Sequence, residues 1–157
     1  MSYKIDVIST LKSLENFKYD WKQFEKKYFK FEYNYDIIKN WLYYFLEKNN
    51  DRFGYDKKIL ILVIYFENSI KTIFPLIKVR RKTKRFINYT SLEFIGSQFG
   101  LNHISQIGEI KEEYFNVLLS WLNENIKYDL LFFSNQDIKQ KNKYLKFKKY
   151  FYSVYPI

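Results

Sequence analysis

Residues 59–66 read Ile59-Leu60-Ile61-Leu62-Val63-Ile64-Tyr65-Phe66; Glu67-Asn68-Ser69 follows, and then Ile70-Lys71-Thr72-Ile73-Phe74-Pro75-Leu76-Ile77-Lys78-Val79. Both runs are rich in β-branched and aromatic side chains, which fit a pleated surface, and the insert between them has turn composition. The pair therefore predicts a β-hairpin. Pro75 has no N–H to give to a ladder, so the second strand is expected to be an edge, to carry a bulge, or to be near its end at that point.

Upstream of the hairpin, residues 4–8 alternate as a short strand does. Phe17, Trp21, Phe24 and Tyr28 then fall four, three and four residues apart, which places them on one face of a helix ending at Tyr28. Core packing explains that aromatic stripe. An aromatic connector over 29–35 leads to a second helix, with Asp36 expected as N-cap and Ile37, Ile38, Trp41, Leu42 and Phe45 on one stripe. Asn49-Asn50-Asp51 should end it. Downstream, residues 87–95 predict a strand stopping at Gly96, and 97–108 a loop. Glu109, Glu112 and Glu113 then stand where a helix N-terminus favours negative charge, ahead of Ile110, Tyr114, Leu118, Trp121 and Leu122 on one face. Residues 128–133 read as a buried strand, 138–149 as a Lys-rich helix and 150–157 as a final extended piece. The order β-α-α-β-β-β-α-β-α-β predicts an α/β (α+β) mixed sheet with helices packed on its faces. No repeat and no Pro/Gly/Ser-rich linker divides the sequence, so residues 1–157 are expected to form one domain.

Composition narrows the chemistry. The 157 residues carry 27 Lys+Arg against 17 Asp+Glu, a formal charge of +10, with no Cys and a single His. A disulfide framework and every thiolate metal site are thereby excluded from this sequence, as is a multi-histidine centre within one chain. The first ten residues carry acid and polar side chains rather than a signal peptide's apolar stretch. The longest apolar run, 59–66, is far short of the roughly 18 residues of a membrane span. A cytoplasmic chain without a membrane span is the expectation. Ala is absent, Gly and Pro number only 4 and 2, and Lys, Asn, Ile, Phe and Tyr make up more than half the sequence. That bias matches AT-rich codons, so the basic and aromatic excess argues only weakly for nucleic acid, which is not an expected partner.

No catalytic arrangement stands out, and no residue is assigned as catalytic. His103 is the only imidazole, and no nucleophile-elbow glycines flank any Ser. Gly54, Gly96, Gly100 and Gly108 fit neither common phosphate-binding loop. The densest charge is Lys78, Arg80, Arg81, Lys82, Lys84 and Arg85 in KVRRKTKR, expected between two strands. It reads either as a solvated connector or as an anion-binding patch, the latter giving the alternative of a small basic anion- or nucleic-acid-binding module.

Several short motifs share their order with a known family. A strand at 5–8 is followed by Trp21 and Phe24; Phe31-Glu32-Tyr33-Asn34 leads to Trp41; the strand–turn–strand ends in Pro75-Leu76, with KVRRKTKR and Leu92-Glu93-Phe94-Ile95-Gly96 behind it. In this the chain resembles the N-terminal half of the CelD/BioF2-like (FemAB-like) acyltransferases, built from two tandem domains of the GNAT superfamily. The family's acidic residue and aromatic just after that glycine are replaced by Ser97-Gln98-Phe99-Gly100-Leu101-Asn102. The later helix at 110–126, the strand at 128–133 and Ser153-Val154-Tyr155-Pro156-Ile157 resemble the family's continuation toward its second domain. The resemblance implies a GNAT-like domain on the acceptor side of an N-acyltransferase (acetyltransferase-like), inactive without a donor-binding half. That half would be a C-terminal GNAT-like domain or a separate chain, with a homodimer as the other way of covering the exposed side. It implies acyl-CoA for the full-length family and none bound by this chain alone, since the donor motif of Arg or Gln, two residues, Gly, any residue, then Gly or Ala is not found. Phe31, Trp41, Gly96, Ser97, Gln98, Asn102 and His103 are the candidates for a substrate cleft.

Overall fold

The hairpin forms where the sequence places it. Glu67 and Asn68 take left-handed backbone conformations, φ 50° and 57°, the pair that lets a two-residue turn follow the right-handed twist of its strands. The Ser69 hydroxyl donates to the Phe66 carbonyl at 2.9 Å and closes the turn. In this computed structural model, which describes residues 3–28, 33–47, 55–82, 88–96 and 106–132, the two strands are longer than expected: β2 is Tyr55–Phe66 and β3 is Ser69–Lys82. Ahead of them come β1 (Tyr3–Ile8) and three helices, α1 (Leu11–Asn16), α2 (Lys18–Lys27) and α3 (Tyr35–Leu42), the last continued by a π-turn at Tyr43–Glu47. Behind them come β4 (Asn88–Phe94), the two-residue β5 (Ile107–Gly108), α4 (Glu112–Asn125) and β6 (Leu130–Phe132).

Among the described residues the strands form one sheet in the order β1-β2-β3-β4-β6, with β5 on β3. Every pairing is antiparallel except β4 with β6, which α4 links as a parallel crossover. Strict alternation along β2 and β3 separates two cores. Ile59, Ile61, Val63, Ile73, Ile77 and Val79 pack under α1–α3. Leu60, Leu62, Ile64, Phe74 and Leu76 pack under α4, against its Tyr114, Phe115, Leu118, Leu119 and Leu122. The result is a sheet between two helical layers, the mixed α/β class expected.

Several local expectations are corrected. The first helix is two, parted at Phe17, where φ −86° and ψ 0° interrupt the helix without a Gly or Pro to announce it. The N-cap of α3 is Asn34 rather than Asp36: its Oδ1 accepts from the backbone N–H of Asp36 and Ile37 at 2.9 and 3.3 Å. Pro75 is buried well inside β3. Its carbonyl accepts from the N–H of Ile95 at 2.9 Å, so the nitrogen of the same residue faces the same side. There β3 changes partner, from β5 at Thr72 and Ile73 to β4 at Leu76. The missing donor thus falls in a break of the ladder. Within the expected loop at 97–108, residues Ile107 and Gly108 are strand. Residues 80–82 of KVRRKTKR are strand rather than connector. Among the described residues β6 is the outer strand beside β4, with Leu130 and Phe132 exposed, not a buried one. The helix expected at 138–149 and the extended piece at 150–157 lie outside the described residues.

Candidate functional site

The parallel β4/β6 pair and the helix between them set the geometry, because open α/β sheets take ligands beyond the carboxyl ends of such strands. β4 runs to Phe94, Ile95 is tied to Pro75, and Gly96 turns the chain away with φ 81°. The chain returns to β3 at Gln106, whose side-chain amide donates to Thr72 Oγ1 at 2.8 Å and to the Glu109 carbonyl at 2.7 Å. Thr72 Oγ1 donates onward to the Ile107 carbonyl at 3.0 Å. This buried network fixes where the segment after Gly96 rejoins the sheet.

On the face covered by α1–α3, β3 and β4 carry a polar cluster that sequence reading missed. Arg81 and Glu93 are four residues apart in register, with Val79 and Ser91 between, so both side chains lie along the sheet to meet. The guanidinium holds the carboxylate through two nitrogens, Nη2 at 2.7 and 2.9 Å from its two oxygens and Nε at 2.9 Å, and the Ser91 hydroxyl donates to it as well. The Glu93 side chain is 2% exposed and that of Arg81 19%. The available signal was parity: Arg81, Ser91 and Glu93 share the inward face of Val79.

The candidate residues divide accordingly. Trp41 is buried in the core that also contains Ile95, its ring 4.9 Å from that of Phe45; it supports the site rather than lining it. Trp21 is likewise structural, its indole N–H donating to the Tyr33 carbonyl at 3.1 Å. Gly96 stands at the end of β4 as expected. Phe31, Ser97, Gln98, Asn102 and His103, with Lys84, Arg85 and the side chain of Lys82, lie outside the described residues. Of the basic run, Lys78 and Arg80 have the parity of the α4 face and Arg81 that of the other. The described part is therefore split between two faces and is not one cationic surface.

The first turn of α4 is acidic. Glu112 and Glu113 occupy it without a side-chain cap at Lys111. Lys111 lies 2.9 Å from Glu109 and 3.8 Å from Glu113. Its hydrogen bond to Glu109 holds that carboxyl below the usual carboxylate range. A pyrophosphate needs open N–H groups and positive potential at such a helix start. Glu112 and Glu113 place negative charge in the turn itself, while Lys111, Lys71 and Lys27 act on the neighbouring Glu109, so the described residues of this first turn do not fit a coenzyme A pyrophosphate. No described helix is long and apolar enough to cross a membrane.

Neither a family model nor a curated protein matches the sequence. Among solved structures, the ribosomal-protein-alanine N-acetyltransferase of Brucella melitensis biovar Abortus 2308 is similar over 100% of this chain and 99% of its own, at 12% identity and a TM-score of 0.43. A possible acetyltransferase from Clostridium difficile 630 is similar over 100% of this chain and 97% of its own, at 15% identity and a TM-score of 0.42.

Proposed function

We propose that this chain is a GNAT-like domain of the FemAB-like kind that shapes the acceptor side of an acyltransferase and does not itself hold the acyl donor. The order of elements supports the reading: the motifs that resemble the family fall on β1, α2, α3, the β2–β3 hairpin and β4, and Leu92-Glu93-Phe94-Ile95-Gly96 ends β4 at the parallel crossover. The observation that carries this reading is the acidic first turn of α4, where Glu112 and Glu113 disfavour a polyphosphate among the described residues of the strand–loop–helix junction. A donor-binding partner, whether a second GNAT-like domain, a separate chain or another copy, would be covering outer strand β6, where Leu130 and Phe132 are 46% and 40% exposed.

Calorimetric titration of the chain with acetyl-CoA tests the reading. No saturable binding is expected at millimolar ligand. Stoichiometric binding that weakens when the first turn of α4 is made still more acidic would overturn it, because the donor would then sit at the helix start.

A further inference from the structure

At the other end of the sheet from the start of α4, the molecule carries a groove that none of the foregoing uses. β1 ends with Ile8 opposite Ile61, and residues 57–60 of β2 run on beyond it. Over that stretch lies an open groove of about 490 Å³, lined among others by Val7, Leu60 and Ile126 with Lys57, Lys58 and Lys78. Small-ligand sites typically have volumes of about 300–1,000 Å³. Val7 is 40% exposed there, an aliphatic side chain left facing water.

The charges are arranged against stability. Lys58 and Lys78 are direct cross-strand partners, and both have the parity of the α4 face, on which Leu60 is buried. Like charges directly opposite on an antiparallel pair have Cβ atoms only about 5 Å apart and repel. Asp56, the nearby acid, lies 3.5 Å from Lys58 and 4.0 Å from Arg80. Among the described residues no acid is within ion-pair distance of Lys78. A cross-strand pair of lysines beside an apolar floor complements one kind of molecule: an anionic head on an aliphatic chain.

We propose that this groove binds a single amphiphilic anion, a carboxylate or phosphate head between Lys58 and Lys78 with its aliphatic chain over Val7, Leu60 and Ile126. The occupant is one free molecule rather than a bilayer, because the apolar residues line an open groove around the end of β1, from Leu60 and Ile126 on the α4 side to Leu11 and Leu46 on the other, instead of projecting as a flat patch.

The test is calorimetric titration of the full chain with decanoate and with dodecyl phosphate, both kept monomeric, beside inorganic phosphate and vesicles of anionic phospholipid. The expected result is one-to-one binding of the two amphiphiles. It should weaken about tenfold or more in the Lys58→Gln/Lys78→Gln variant and at least tenfold when inorganic phosphate replaces the amphiphile. The variant should be no less heat-stable than the wild type without ligand, since it removes a repulsion; Lys78→Gln alone serves the same comparison if the double variant does not fold. Absence of saturable amphiphile binding, undiminished binding to the variant, inorganic phosphate binding as tightly, or binding to vesicles alone would each overturn the proposal.

Discussion

Breaking the Arg81–Glu93 pair should cost stability unequally from its two sides. Arg81→Met strands a carboxylate that is 2% exposed, whereas Glu93→Leu leaves a guanidinium 19% exposed on a long, flexible side chain. A buried charge stripped of its partner costs roughly 3–5 kcal/mol, because desolvation is no longer offset by the Coulombic attraction. Arg81→Met should approach that range. Glu93→Leu should cost about half as much, since the arginine is able to swing its head into water. Replacing both residues by apolar ones removes both charges together and should be near neutral or mildly stabilising, by up to roughly 1–4 kcal/mol relative to the wild type. Urea unfolding of the four proteins, read as free energies by linear extrapolation, gives the full double-mutant cycle. The reasoning fails if each single variant costs under about 1 kcal/mol, the behaviour of a surface pair, or if the double variant is no more stable than the worse single one.

Two further outcomes follow from the same structure. Gly108 sits at φ 106°, and a Cβ there would lie 2.5 Å from the Lys71 carbonyl oxygen and 2.7 Å from the Phe24 ring; Gly108→Ala should cost roughly 3 kcal/mol in urea unfolding, and a cost under about 1 kcal/mol would contradict the packing of β5 on α2. Stability should decline at both ends of the pH range. Glu15, Asp36 and Glu109 are held low chiefly by hydrogen bonds from Lys39, Lys22 and Lys111. Their contribution is complete above the unfolded values of 4.5 for Glu and 3.8 for Asp and is lost as pH falls through the lower folded ones. Burial, with Asp6 next, pushes Tyr65 up to about 12, so the stability gained by keeping it neutral is present below 10 and lost as pH rises toward the folded value. Unfolding free energies that keep rising above pH 10 would refute the alkaline half.

What was legible in the sequence is what local chemistry dictates. The β2–β3 hairpin follows from β-branched runs around Glu67-Asn68, and α4 from an apolar stripe behind clustered glutamates. Sites of partner exchange were hidden. Pro75 signalled that a ladder bond was missing but not that β3 would swap β5 for β4 at that residue, because the swap depends on Ile95 and Thr72, 20 residues downstream and 3 residues upstream of it. KVRRKTKR looked like a connector because strands seldom end in so many cations, yet Arg81 has a carboxylate waiting on β4. Its partner Glu93 lies within the Leu-Glu-Phe of a motif whose apolar members attracted the attention. Trp41 resembled a cleft residue by motif and is a core residue by burial.

The distribution of charge along the sheet links the two proposals and keeps them separable. α4 runs from Glu112 and Glu113, beside the strand end where Tyr3 meets Tyr114, down to Ile126 at the groove with Lys57, Lys58 and Lys78. Among the described residues the first turn of α4 is thus acidic and the groove at its far end is lined by lysines. Among the described residues an anion meets lysines at the groove and carboxylates in the first turn of α4. Should acetyl-CoA bind after all, the two lysine variants tell the cases apart. Loss of binding in Lys58→Gln/Lys78→Gln would place the nucleotide at the groove and leave the acceptor-side reading intact. Binding that ignores those lysines and responds to the charge at Glu112 and Glu113 would place it at the start of α4 and remove that reading while leaving the groove's amphiphile site standing.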